Sequence, residues 1–269
     1  MTACERYDLA EEQIKAFSRS GIRAKIMFCL KDGKKTSSEM ERSIGARTST
    51  ILHATKEMIE ADLVRRSASG FALTNIGMIE ALLLDDLVSS IAILDKHKEF
   101  WLAHDLSSIP IALQKEVGML AQSEIITSDS AALLKSHEHF MKKLGQAKEI
   151  RGVSPIIIPG HSEVISAAIK SGAEVELILT DKILQIAAKE YRDLGSELLR
   201  QDNFKLYHLN EDIKVAFTVT DTMLSLGLYR LDGGYDLGRD LICVGAQANC
   251  WGRKLFEHYR NKSKLIKMI

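Results

Sequence analysis

The sequence is poor in the residues that build stapled, fibrous or cofactor-rich proteins: among 269 residues there are three prolines, four cysteines and only 6% aromatics. Cys4, Cys29, Cys243 and Cys250 form no CxxC pair and no Cys/His cluster at zinc spacing, so neither a disulfide framework nor a metal site is expected. No apolar run approaches the roughly 18 to 20 residues that span a bilayer. Residues 1–20 carry Glu5, Asp8, Glu11 and Glu12 where a signal peptide needs a basic start and an apolar core. The expectation is a cytoplasmic protein with no membrane partner. Enzyme signatures are also missing: no GxGxxG or GxxxxGK[ST] follows a strand, and neither HExxH nor GxSxG occurs. No catalytic residue and no cofactor is expected. His137 and His139 are two apart on a helical pattern and point to different faces, which reads as solvated surface and not as a metal pair.

Net charge is also absent, with 36 Lys and Arg against 36 Asp and Glu, but the balance is local. Residues 19–76 hold eleven basic side chains against six acidic ones, so a basic segment is joined to an acidic body. That separation suits a protein in which one part touches phosphate and the other does not.

Within the basic segment, Ile22, Ile26 and Leu30 are spaced for one helical face, and Asp32-Gly33 ends that helix. Thr36-Ser-Ser-Glu39 has the spacing of a capping box and opens a short helix to about Ser43. After a turn at Gly45, a third helix over 48–61 is expected to face Ile51, Leu52, Met58 and Ile59 inward, with Leu63 following. Its outer side holds Arg47, Thr48, Ser49, Thr50, His53 and Lys56, side chains able to donate to phosphates and base edges. Residues 63–67 and 70–73 read as a hairpin carrying Arg65, Arg66 and Ser67, placed to grip the flanking backbone or minor groove. This order is the winged helix-turn-helix plan, and it predicts double-stranded DNA as a partner. Residues 77–94 are helical and apolar on more than one face, which predicts a connecting helix that pairs with its twin in a homodimer.

Beyond residue 97, segments 124–127, 149–154, 174–180, 204–209 and 215–220 read as strands, and 224–229 as the second arm of a hairpin after Thr220-Asp-Thr-Met223. Helical patterns cover 131–148, 162–171, 182–199 and 246–261, so this part is expected to be an α/β domain with a mixed sheet. Its strand ends hold Arg151, Ser154, Thr180, Asp181, Thr218, Thr220, Asp221 and Arg230, which are expected to converge at one rim and bind a small effector, with the two arginines suited to an anion. The domain organisation is thus residues 1–76, DNA binding; 77–96, connector and dimer helix; 97–269, regulatory α/β domain.

The amino-terminal part resembles archaeal and bacterial winged-helix repressors of the arsenic-repressor class, through Leu52-His-Ala-Thr-Lys-Glu-Met-Ile-Glu-Ala-Asp-Leu-Val64 and Phe71-Ala-Leu-Thr-Asn-Ile-Gly77. Thr55 stands where such helices usually carry Leu. Glu99-Phe-Trp-Leu-Ala-His-Asp-Leu-Ser-Ser-Ile-Pro110, Glu149-Ile-Arg-Gly-Val-Ser-Pro155, Phe217-Thr-Val-Thr-Asp221 and Trp251-Gly-Arg-Lys-Leu-Phe-Glu-His-Tyr259 resemble the archaeal transcriptional regulators that carry a methanogenesis-regulator middle domain. The resemblance implies a non-enzymatic transcription factor with a sensing domain. Two other classes fit parts of the pattern. A phosphodiesterase-type or nucleotide-processing enzyme with an accessory helical domain would need an HxK pair, yet His208 is followed by Leu209-Asn210, so the alternation of strands and helices suits a phospholipase-D-like fold without the catalytic motif. A protein-interaction adaptor would show no salt-dependent affinity for DNA.

Overall fold

In the computed structural model the chain forms two compact units, Met1–Val88 and Ser89–Ile269. The structure describes residues 1–18, 20–127, 135–158 and 160–268. The side chains of His137 and His139, and residues 131–134 of the helical pattern read there, lie outside the described residues.

The first unit opens with α1 (Ala3–Ser18), which sequence patterning did not single out, followed by α2 (Gly21–Lys31). The Ser20 hydroxyl caps α2 by accepting from the Arg23 amide. Next come α3 (Ser37–Ile44) and α4 (Thr48–Glu60), then strands β1 (Val64–Ser67) and β2 (Gly70–Leu73), paired antiparallel. Ile26, Met27 and Leu30 of α2, Met40 of α3, and Ile51, Ala54 and Met58 of α4 close on Val64, Phe71 and Leu73 to form one core. α5 (Asn75–Lys96) follows, and the division between the units falls within it at residues 88 and 89. Its core-facing residues in the first unit are Gly77, Met78 and Ala81. Ile76, Ile79, Leu83 and Leu87 lie on the opposite side of the helix, 55 to 64% exposed.

The second unit begins with the short helices α6 (Lys98–Ala103) and α7 (Ile111–Lys115). It continues through β3 (Ser123–Thr127), α8 (Lys135–Leu144), β4 (Glu149–Ser154), α9 (His161–Lys170), β5 (Glu174–Thr180), α10 (Asp181–Glu190) and α11 (Arg192–Leu198). It closes with β6 (Phe204–Leu209), β7 (Val215–Thr220), β8 (Met223–Leu228), β9 (Arg239–Val244), α12 (Ala246–Arg260) and β10 (Lys264–Ile266). The eight strands β3 to β10 form one mixed sheet in the order β10-β6-β5-β4-β7-β8-β9-β3. β4, β5 and β6 run parallel, and the remaining neighbours pair antiparallel.

Both faces of the sheet are covered, which is why the middle strands carry apolar side chains on each side. Trp251, Leu255, Phe256 and Tyr259 of α12 pack on Val153, Phe217, Val219, Leu224 and Leu226. On the other face Phe140, Leu144, Ile165, Ile169 and Leu198 cover Ile150, Val175, Leu206 and Met223. Three features depart from the sequence reading. The helix expected over 182–199 breaks at Tyr191, whose backbone leaves the helical region at φ −124°. Arg239–Val244 forms a strand that pairs with both β8 and β3. Residues 264–266, read as part of a basic tail, add a short antiparallel edge strand to β6.

Candidate nucleic-acid interface

The outward face of α4 depends on how α3 and the hairpin hold it. The Thr36 hydroxyl accepts from the Glu39 amide at 3.3 Å while the Glu39 carboxylate accepts from the Thr36 amide at 2.7 Å, completing the capping box at the start of α3. Gly45, with φ +70°, ends α3 in the left-handed conformation and turns the chain into α4. Lys35 and Phe71 exchange two backbone hydrogen bonds, of 3.0 and 2.8 Å, which ties the hairpin to the segment before α3. Gly70 permits this approach, since a Cβ there would stand 2.4 Å from the Lys35 carbonyl oxygen. Ser67 donates to the Gly70 carbonyl at 3.1 Å and closes the turn, so its hydroxyl is spent inside the hairpin.

On this frame α4 buries Ile51, Ala54, Thr55 and Met58, four residues on one helical stripe. Arg47, Ser49, Thr50, His53 and Lys56 are exposed as expected, and so are Arg65 and Arg66 on β1. Among the described residues, the side chains of Arg47, Ser49, Thr50 and Arg65 make no hydrogen bond or ion pair. Arg66 stacks its guanidinium 5.8 Å from the centre of the Phe71 ring. Thr48 differs from the others, because it is partly buried and its hydroxyl donates to the Glu41 carboxylate.

Leu52 is a correction to the sequence reading. It is 40% exposed, in line with Ser49 and Lys56 on the outer stripe, while Thr55 is 1% exposed and takes the inward place. The Thr55 hydroxyl has no hydrogen-bond partner, the mark of a polar group in an apolar position. The helical wheel carried the signal: Ile51, Thr55 and Met58 share one side, and Leu52 is rotated about 100° from Ile51.

Charge along α4 is graded. His53 and Lys56 lie 3.9 Å from Glu57 and Glu60, distances at which exposed pairs contribute little. Arg23 donates to Glu57 at 2.6 Å and holds that carboxyl below its ordinary range. The acidic groups gather toward the carboxy-terminal end, and the amino-terminal turns present hydroxyls, Arg47 and free backbone N–H groups, the end that a phosphate prefers.

The residues expected to line an effector site are separated by the sheet. Ser154, Thr180, Asp181 and Arg230 lie at the end where β4 and β5 finish and β8 has just ended. Thr220 and Asp221 lie at the opposite end, because β7 runs antiparallel to β4 and pairs Thr220 with Ile150. Arg151 and Thr218 sit in mid-strand on opposite faces, since Arg151 pairs with Val219 and Thr218 with Gly152. Their side chains also have other work. Arg151 is paired with Glu149 and lies 3.5 Å from Glu176, and Arg230 lies 3.2 Å from Asp232, so neither is an open anion ligand. Ser154 donates to the Ile156 carbonyl, Thr220 accepts from the Thr222 and Met223 amides, Asp181 is 2.6 Å from His208, and Asp221 accepts from the Lys148 amide. Of the eight, Asp221 borders an open groove of about 850 Å³ along α12, with Thr222, Asn249, Arg253 and His258. Among the described residues no cluster of three His, Cys, Asp or Glu could hold a metal, and no helix is long and apolar enough to cross a membrane.

Comparison with known proteins places both halves of the chain in one regulatory class. Residues 11–92 match the family model of the N-terminal domain of the methanogenesis regulatory protein FilR1, and residues 133–262 match that of its middle domain. The chain belongs to the FilR1 family of methanogenesis regulatory proteins, a family described by a regulatory role and not by a reaction. It is 36% identical over 261 residues to FilR1 of Methanothrix harundinacea (strain 6Ac), an alignment covering 94% of this chain and 58% of that protein. The chain therefore spans less than two thirds of the length of that relative. Among solved structures it is similar to TrmBL2, described as an archaeal chromatin protein with a novel mode of DNA binding, at 14% identity and a TM-score of 0.43 over 98% of this chain and 100% of that one. A phosphatidylserine synthase from Haemophilus influenzae matches at 11% identity and a TM-score of 0.42, over 73% of this chain and 60% of that one.

Proposed function

We propose that the chain is a cytoplasmic, sequence-specific regulator of transcription that binds double-stranded DNA as a homodimer through a winged helix-turn-helix in its first unit. The observation that carries this reading is the outer stripe of α4. Side chains able to donate to phosphates and bases stand exposed there without strong partners of their own, beside a hairpin bearing Arg65 and Arg66. In this plan α4 enters the major groove and the hairpin holds the adjoining backbone. The exposed Ile76, Ile79, Leu83 and Leu87 support pairing with a second copy, because a two-fold dimer matches two half-sites of a palindrome. The second unit supplies regulation by taking a small-molecule effector, and the groove beside Asp221, Asn249 and Arg253 has the volume of a ligand site.

The test is selection of duplexes from a random library by the full chain, followed by titration of the enriched duplex with the Arg47→Ala/Lys56→Ala variant. Loss of specific binding is expected, with far-ultraviolet circular dichroism unchanged. Unaltered affinity in the folded variant would remove α4 from the interface.

A further inference from the structure

The exposed stripe of α4 is not uniformly polar. Ser49, Leu52 and Lys56 follow one another at helical spacing of three and four residues with His53 beside them, and Leu52 stands between Ser49 and Lys56 with 40% of its surface in water. The other apolar residues beside it do not share that exposure: Ile51 and Ala54 are in the core, and the inward place one turn later is filled by Thr55. An apolar side chain is thus turned outward on the face that carries the donors, while a polar one is turned inward without a hydrogen bond.

We propose that Leu52 determines part of the sequence preference by packing against the C5-methyl group of a thymine in the major groove. This rests on the reading of α4 as the groove-entering helix. The chemistry follows from what base edges display. Donors such as Ser49, His53 and Lys56 address the acceptors on guanine, adenine and thymine, but an aliphatic side chain has no such partner, and the thymine methyl is the one apolar group exposed in the major groove. Leucine also cannot serve the phosphates that Arg47 and Arg65 are placed to meet. Its position midway along the exposed stripe sets it within the donor-bearing face, where contact with a base edge buries both apolar groups and excludes water from the neighbouring hydrogen bonds.

The experiment removes the methyl without changing base pairing. Duplexes enriched by the full chain are titrated with the wild-type protein and with Leu52→Ala, first intact and then with each enriched thymine replaced singly by deoxyuridine. At one thymine per half-site, the replacement is expected to weaken wild-type binding roughly fourfold, the equivalent of one buried methyl, and to leave Leu52→Ala unaffected. Leu52→Gln, which keeps the length of the side chain but ends in a polar group, is expected to lose the methyl dependence as well and provides the measurement if the alanine variant folds poorly. Equal losses in wild type and the Leu52 variants at every thymine, or no loss in any, would overturn the assignment while leaving α4 as the DNA-binding helix. Failure to enrich any duplex would instead overturn the reading on which it rests, and this inference with it.

Discussion

The Cα of Gly77 lies against the backbone of Leu63: a methyl group added to it would stand 2.0 Å from the Leu63 carbonyl oxygen. One turn earlier, the Thr74 hydroxyl donates to the Asp62 carbonyl at 2.6 Å and accepts from the Gly77 amide at 3.0 Å. The motif Leu73-Thr74-Asn75-Ile76-Gly77 therefore fastens the start of α5 to the chain leaving α4, with Thr74 as the clasp and Gly77 as the point of closest approach.

Gly77→Ala is expected to destabilise the first unit by about 1 to 3 kcal/mol, because backbone strain outweighs the better helix propensity of alanine. Both tryptophans, Trp101 and Trp251, belong to the second unit. Thermal unfolding followed by circular dichroism should show an earlier loss of helix, while the tryptophan fluorescence transition stays in place. An unchanged circular dichroism profile would show that the close approach is tolerant.

Asp240 gives the second unit a distinctive response to pH. Burial pushes its carboxyl up to about 6, against the stabilising effect of a 2.5 Å hydrogen bond donated by Ser225. Between about pH 4 and 6 the unfolded chain has released this proton and the folded chain still holds it, so stability falls as pH rises through that window and is level above it. Asp236 works the other way: burial opposes its charge, but Arg239, the Gly238 amide and His104 prevail and hold its carboxyl below the ordinary range. Its contribution is present above about pH 4 and is lost on further acidification. Asp240→Asn should therefore raise stability at pH 7 by about 2 to 3 kcal/mol and flatten the wild-type slope from pH 4 to 6. Urea unfolding followed by tryptophan fluorescence measures this directly, and parallel profiles for the two proteins would refute the assignment.

How far the sequence foretold these features depended on the range of the interactions involved. Strands 149–154, 174–180, 204–209 and 215–220 are long, apolar and bounded by polar turns, and the structure gives them the same limits. Lys264–Ile266 is three residues long and gains its strand conformation only by pairing with β6. On α4, the adjacent apolar pair Ile51-Leu52 suggested two core residues, but one helical stripe cannot include both along with Ala54, Thr55 and Met58. The donors of that helix were legible because they are local. The commitments of Arg151 to Glu176 and of Lys148 to Asp221 join residues 25 and 73 positions apart, and they exist only once strand order is set. That is why an effector rim assembled from strand ends in the sequence came apart on the sheet.

The exposed apolar stripe of α5 leads to a test of assembly. Leu83 and Leu87 lie opposite the core-facing Ala81 and beyond the side where Asp85 pairs with Lys31 at 2.6 Å. Replacing both with glutamate should leave the first unit folded, since neither side chain enters its core, and convert the proposed dimer into a monomer in sedimentation. Specific DNA affinity is expected to fall at least tenfold, because one reading helix then binds without its twin. A double variant that sediments as the wild type does would assign this stripe to another role.

Substitutions at Arg65 and Ser49 are expected to separate affinity from specificity. Arg65 is exposed on β1 and makes no ion pair among the described residues, a geometry suited to a phosphate oxygen. Ser49 stands exposed on the outer stripe of α4, the face proposed to meet base edges. Arg65→Ala is expected to weaken binding to every duplex by a similar factor and to reduce the slope of log affinity against log salt by about 0.9 for each phosphate it no longer neutralises. Ser49→Ala should leave that slope unchanged and relax the preference at one position of the selected sequence. Fluorescence anisotropy over a series of salt concentrations measures both effects. An unaltered salt slope for Arg65→Ala would mean that the hairpin stands away from the DNA backbone and that α4 meets the phosphates by itself.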